Sequence, residues 1–297
     1  MIIRVIDVET TGTDEKAEVI EVASVDFQPG AAPLIVGTRS SLVKASVGIP
    51  PEASAVHHIT DDMLVKAPSW EEAWEAIGAV DSDDCVAFAA HAAEFEGRFI
   101  PDSLRDGLPL VCSYKSALRV WPDAPGFGNQ VLRYWLKLDL DHTVAMPPHR
   151  ALPDAFVTAH ILNQILLSAP LEDLRLWSSE PALLPKIAFG QHEGTRWADL
   201  PIDYLDWIVS NKNKLDSDVK WNASRELARR AGAVRAAYVE ACLEAIKMCT
   251  SLESLMGWFT GDAARRHDHG IDKGSEAYET IVAACAARKS EILGVAG

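Results

Sequence analysis

Two carboxylates, Asp7 and Glu9, stand two residues apart in the apolar run Met1-Ile2-Ile3-Arg4-Val5-Ile6-Asp7-Val8-Glu9-Thr10-Thr11-Gly12. The run is rich in β-branched residues, which suit a strand. Strand side chains alternate, so both carboxylates project from one face. Two like charges at the end of a buried strand repel each other and resist loss of water. A divalent cation removes that conflict, because hard ions such as Mg²⁺ take carboxylate oxygens. A solvated turn at a strand end is the other reading of an isolated Asp-x-Glu pair.

A second segment with chemistry in it lies about 140 residues on, at His149-Arg150-Ala151-Leu152-Pro153-Asp154. Pro147 and Pro148 cannot continue a helix, whereas Pro153 suits the first turn of a new one. His149 is therefore placed on the loop entering a helix, and Asp154 in that helix's first turn. Taken singly, Asp154 also suits a helix-dipole role worth about 0.3–1 kcal/mol, and His149 an ordinary loop.

Together the two segments resemble the DEDDh 3′→5′ exonucleases, which carry Asp-x-Glu-Thr-Thr-Gly near the N-terminus and His-x-x-x-x-Asp far downstream. Intermediate segments agree. Val56-His57-His58-Ile59-Thr60-Asp61-Asp62-Met63 resembles the loop after the third strand of that family. Ala90-His91-Ala92-Ala93-Glu94-Phe95-Glu96 resembles its second motif, and Cys112 to Pro122 the segment before its last motif. The strong likeness covers residues 1–168. A weaker one, to the small C-terminal module of a DNA-degrading member, runs through Phe189–Leu200 with Tyr204–Ile208 behind it.

The resemblance implies a ribonuclease-H-like α/β fold, a mixed sheet with flanking helices, followed by a small, mainly helical C-terminal region. It implies phosphodiester hydrolysis assisted by two Mg²⁺ or Mn²⁺ ions about 3.5–4 Å apart, releasing 5′-mononucleotides from DNA 3′ ends. Asp7, Glu9, Glu96 and Asp154 become the metal ligands, with Asp7 shared between the ions. His149 becomes the general base, a role commonly taken by imidazole in enzymes that work near neutral pH. The substrate-binding candidates are Thr10, Thr11, Gly12, His58, Phe95, Lys115 and Arg150; glycine at position 12 lets the main chain approach a ligand closely. This chain departs from the family at two places. Glu96 stands where an Asp is expected, and Ala92 where an Asn is expected. The extra methylene of Glu96 moves its oxygens, which bears on rate and metal preference because Mg²⁺ demands near-octahedral geometry.

Composition sets further limits. The 297 residues carry 28 basic and 43 acidic side chains, a net charge of −15. Residues 1–170 hold 24 acidic and 12 basic groups (−12), and residues 171–297 hold 19 and 16 (−3). Phosphate binding normally draws on Lys and Arg, so a local patch is needed; Lys115, Arg119, Arg133 and Arg150 are the candidates. Tight, processive binding is not expected. The five cysteines are scattered without a Cys-x-x-Cys pair, as in a reduced cytoplasmic protein. Cys242 and Cys249, seven apart, read as helix core. No apolar stretch reaches membrane-spanning length, and no signal-peptide pattern opens the chain.

The elements that must position these residues follow from pattern. Residues 2–8, 18–28 and 33–44 read as strands, and Cys85–Ala90 as a short apolar strand leading to the second motif. Glu71–Gly78, capped by Ser69, Glu94–Ile100, Ser113–Val120, Asn129–Leu136 and Pro153–Leu167 read as helices. Three domains are expected: the catalytic domain over 1–168, the small module over 169–230, and a helical tail over 231–297 able to dock a protein partner. Tryptophans of the module could stack on bases at about 1–3 kcal/mol each or anchor a small core. Arg265-Arg266-His267-Asp268-His269 reads as an exposed polar loop. Two other readings stay open: an enzyme trimming RNA with the same centre, and a nucleic-acid-binding scaffold in which Glu96 and Ala92 mark a decayed site.

Overall fold

The computed structural model describes residues 1–78, 84–211 and 215–294. Five strands, β1 (Ile2–Thr10), β2 (Val19–Gln28), β3 (Leu34–Leu42), β4 (Cys85–Ala90) and β5 (Leu110–Cys112), form one sheet in the order β3-β2-β1-β4-β5. The first three pair antiparallel, while β1–β4 and β4–β5 are parallel. Parallel neighbours need crossover connections, and helices lie along them. These are α1 (Pro51–His57), α2 (Asp61–Leu64), α3 (Trp70–Gly78) and α4 (Ala93–Phe99). Downstream come α5 (Ser113–Val120), α6 (Asn129–Trp135), α7 (Ala151–Leu166) and α8 (Leu171–Ser179). This is the mixed, ribonuclease-H-like α/β arrangement expected.

Strand alternation assigns each face its layer. Ile3, Val5, Val25, Phe27, Ala87 and Ala89 bury one face against α7, through Ala155, Phe156, Ala159 and Leu162. Ile6, Val8, Val22, Phe88 and Ala90 bury the other face with Ala73, Trp74 and Ile77 of α3 and Ala93 of α4. Arg4 falls on the α3 face. Its guanidinium is held by Asp26 through two bonds of 2.7 Å and donates to the Gly78 carbonyl at 2.8 Å. A buried charge so paired and bonded avoids the cost of an isolated one, and ties the end of α3 to the sheet.

Boundaries shift where local chemistry overrides pattern. Strands β1 to β3 and the helices α3 to α6 lie where expected, to within two residues at most ends. Ser69 and Glu72 form the reciprocal cap before α3, the Ser69 amide donating at 2.9 Å and the Glu72 amide at 3.3 Å. Helix α7 starts two residues earlier than expected, so Pro153 is its third residue; the first four amides of a helix need no intrahelical acceptor. The expected loop over Val56–Met63 instead holds the end of α1 and most of α2. These helices are too short to show a 3.6-residue period, and Pro51 at the first position of α1 is their clearest signal.

Contacts divide the chain into Met1–Pro185 and Lys186–Gly297. The second unit contains α9 (Ile202–Ser210), α10 (Ser217–Met248), α11 (Leu252–Gly261), α12 (Ala263–Asp268) and α13 (Glu276–Leu293). Helix α10 runs continuously through residues 230 and 231. Cys242, Ile246, Cys249, Leu255, Ile271 and Ile281 form its core, with Tyr238, Trp258 and Phe259 packed on them. Cys242 and Cys249 are core residues, as their spacing suggested. The segment 265–269, expected as an exposed loop, is mostly α12. Its Arg266 is buried, paired with Asp262 at 3.2 Å and lying over Phe259 at 4.2 Å. Residues 212–214 and 295–297 of the expected C-terminal segments lie outside the described residues. Among those described, no helix is long and apolar enough to cross a membrane.

Candidate active site

The packing of α7 on β1 decides where the carboxylates meet. Odd-numbered residues of β1 face α7, so Asp7 and Glu9 continue the row of Ile3 and Val5 beyond the apolar core. Asp154, in the first turn of α7, reaches the same end of the sheet. Carboxylate oxygens of Asp7, Glu9 and Asp154 all lie within 4.8 Å of one another. Glu96, on α4 just after β4, is 5% exposed. Its charge acts on Asp7, and its buried Oε2 has no hydrogen-bond partner.

Four acids drawn together out of water cannot all ionise cheaply. Burial, followed by Glu9, Glu96, Asp154 and Glu21, holds Asp7 well above the carboxylate range. Burial first, then Asp154 and Glu21, push Glu9 up to about 8 against a partial counter-effect of Arg150. Burial alone raises Glu96 to about 8. Burial also raises Asp154, opposed by bonds from Gln130 and from the His149 backbone. Such a set is costly without a cation and well matched to one: clustered carboxylate oxygens, and a buried oxygen lacking a donor. Hard divalent ions take such donors.

The flanking segments are built around Asp154. Gln130 Nε2 donates to its Oδ1 at 3.0 Å, and the His149 amide to its Oδ2 at 2.9 Å. Asn129 Nδ2 donates to the Asp154 carbonyl at 3.1 Å and to Thr158 Oγ1 at 2.7 Å. His149 is exposed, in the left-handed region at φ 58°, immediately before the Arg150 that precedes α7. The acids and the histidine of the sequence motifs are thus gathered at one end of the sheet.

Beside them lies a cleft of about 530 Å³, walled by Glu9, Thr10, Thr11, Gly12, Val56, His57 and Phe95. Its floor is set by the turn after β1. The Thr10 hydroxyl donates to the Gly12 carbonyl at 2.5 Å, and the Glu18 amide to Thr11 Oγ1 at 3.0 Å. A Cβ on Gly12 would meet nothing within 4 Å, so the fold itself does not require glycine there. His57 lines the cleft, while His58 caps α1 with positive φ and faces solvent. His57 is buried: its Nδ1 accepts from the Ile59 amide at 3.0 Å, and its Nε2 has no partner. Desolvation lowers its pKa, so near neutral pH it is an uncharged ring.

The basic candidates are engaged elsewhere in the same unit. Lys115 Nζ donates to the carbonyls of Glu180 at 2.8 Å and Ser178 at 3.3 Å. Arg119 pairs with Glu180 and lies over Trp177 at 5.5 Å. Arg133 is buried, donating to the Ala145 carbonyl at 2.9 Å. Arg150 is bound to Glu21. Sequence reasoning missed Glu21, His57 and Gln130. The signal for Glu21 was present: a lone acid inside Val19-Ile20-Glu21-Val22-Ala23, where a buried strand has no use for an unpaired charge.

Residues 5–162, just over half the chain, match the Exonuclease family of RNase T type. Exodeoxyribonuclease 10 of Escherichia coli is 29% identical over 223 residues, 73% of this chain and 95% of that protein. The DNA polymerase III epsilon subunit of Aquifex aeolicus is 31% identical over 169 residues, 54% of this chain and 79% of its own. The solved structure of exonuclease X in complex with 5′ overhanging duplex DNA is 30% identical, with a TM-score of 0.52; the match covers 60% of this chain and 99% of that one. With its acidic cluster at one end of a mixed sheet and the family match spanning residues 5–162, this chain belongs to the Exonuclease family.

Proposed function

We propose that the chain is a 3′→5′ exodeoxyribonuclease that releases nucleoside 5′-monophosphates with two divalent cations, Mg²⁺ or Mn²⁺. The convergence of Asp7, Glu9 and Asp154 within 4.8 Å, with Glu96 acting on Asp7 and its buried Oε2 lacking a donor, carries the reading. Asp7, Glu9 and Asp154 would hold the ions, with Glu96 supporting them. When bound, such a pair of ions stabilises the attacking and leaving oxygens of an in-line displacement. His149 takes the proton of the attacking water from its exposed loop. The anchored amide of His149 and the Gln130 bond hold Asp154 in one rotamer, as a metal ligand needs. The cleft receives the terminal nucleotide: Phe95 and Val56 offer apolar contact, His57 an uncharged ring nitrogen, and the bare Gly12 backbone close approach.

Preference for DNA is supported by the names of the relatives that match over most of their own length. Distributive action follows from the site's charge, since Lys115, Arg119 and Arg133 are held by internal partners. Matched 5′-labelled DNA and RNA oligomers, digested with Mg²⁺, test the substrate assignment. DNA is expected to be shortened at least tenfold faster; equal rates, or faster loss of RNA, would move the enzyme to the RNA-trimming reading.

A further inference from the structure

Glu21 stands directly opposite Glu9 in the β1–β2 register, so both side chains share the face that α7 covers. Like charges placed opposite one another on a sheet destabilise it, and Glu21 is only 6% exposed. Its two oxygens nevertheless collect three donors. Arg150 Nε donates to Oε2 at 2.9 Å and Arg150 Nη2 to Oε1 at 2.5 Å. The Ala151 amide, the first of α7, donates to Oε2 at 2.9 Å. Arg150 also feels Glu9, whose charge acts on the same guanidinium. One arginine therefore faces two carboxylates, and the planar fork together with a free helix amide settles it on Glu21.

We infer that Glu21 is a positioning residue: it holds Arg150 off Glu9, leaving Glu9 to the cation, and pins the chain between His149 and Asp154. The inference rests on the metal-dependent reading above. Without the Glu21 charge, the Arg150 guanidinium turns to the other carboxylate that acts on it, Glu9, and competes with the metal for it. The same substitution releases the start of α7, so the base and Asp154 lose their fixed spacing. Two effects of different kind follow. Loss of metal affinity comes from capture by arginine and is reversed by removing the arginine. Loss of turnover comes from the broken clamp and is not.

Mn²⁺ binding to the full chain, followed by calorimetric titration beside kcat on a DNA oligomer, separates them. Glu21→Gln is expected to weaken Mn²⁺ binding at least tenfold and to lower kcat. The double variant Glu21→Gln/Arg150→Gln is expected to recover wild-type Mn²⁺ affinity within about threefold while kcat stays low. A double variant as weak as Glu21→Gln, or Glu21→Gln binding like wild type, overturns the inference and leaves the metal-dependent reading intact. A wild-type chain that binds no Mn²⁺ overturns both. If Glu21→Gln does not fold, Arg150→Gln alone decides: binding as tight as wild type or tighter supports the inference, and binding more than threefold weaker refutes it.

Discussion

Raising the pH of the metal-free protein from about 6.5 to about 8.5 is expected to destabilise its catalytic unit, and a bound cation is expected to cancel the loss. Glu9 and Glu96 keep their protons up to about 8 in the fold, against an ordinary 4.5. Between those values the folded chain holds protons that the unfolded chain has released. Stability therefore falls as pH rises through the window, and the loss is complete above about pH 8. The portion above pH 6.5 spans about 1.5 units for each carboxyl, or about 2 kcal/mol at 1.36 kcal/mol per unit. Relaxation and shared protons leave about 2–4 kcal/mol for the two together, a fall of roughly 4–16 °C in Tm for a unit of this size. Mn²⁺ at about a hundred times its Kd adds about 2.7 kcal/mol and removes the slope, because the ionised carboxylates are then the favoured form. Scanning calorimetry with chelator or Mn²⁺, at several pH values, reads both effects; Glu96→Gln should roughly halve the metal-free slope. A metal-free Tm that is flat or rising over this range, or a Mn²⁺ increment equal at both ends, would refute the reasoning.

Two further outcomes follow from the buried groups. His91 Nε2 donates to the Phe127 carbonyl and Nδ1 accepts from Ser113 Oγ, both at 2.8 Å, and burial pushes its pKa down to about 4. The unfolded chain takes up that proton first, so the His91 contribution to metal-free stability should fall by about 3 kcal/mol as pH drops from about 6.5 to about 4, opposing the gain that Glu9 and Glu96 give over the same range; in urea titrations His91→Gln should gain more stability than wild type as the pH is lowered. Glu96→Ala should cut kcat about a hundredfold or more, as loss of transition-state charge stabilisation does, whereas Glu96→Asp should stay within about tenfold of wild type with an altered Mg²⁺-to-Mn²⁺ rate ratio; an Ala variant as active as wild type would remove Glu96 from the centre.

The parts of the fold readable in advance were those with a period. The β-branched alternation of Ile2–Thr10 and the apolar run of Cys85–Ala90 located two strands, and Ile161, Leu162 and Ile165 located α7. The Asp7–Glu9 pair was legible because a buried strand would otherwise avoid it, and Glu96 and Asp154, each in the first turn of a helix, because their segments match the motifs of the resembled family. What escaped was set by tertiary contact. The choice between His57 and His58 depends on the last turn of α1, where His58 swings into positive φ and solvent. Lys115 looked free in sequence because its acceptors, the carbonyls at Ser178 and Glu180, lie more than 60 residues away and carry no sequence signal. Glu21 and Arg150 are 129 residues apart, and only the packing of α7 on β2 makes them partners.

The most direct test of the metal-dependent 3′→5′ centre is one DNA oligomer labelled in turn at each end and digested with Mg²⁺. The 5′-labelled strand should give a descending ladder, and the 3′-labelled strand should release its label as mononucleotide from the first time point, both abolished by chelation and in Asp7→Asn. A ladder from the 3′-labelled strand, internal fragments, or full activity in Asp7→Asn would contradict the assignment.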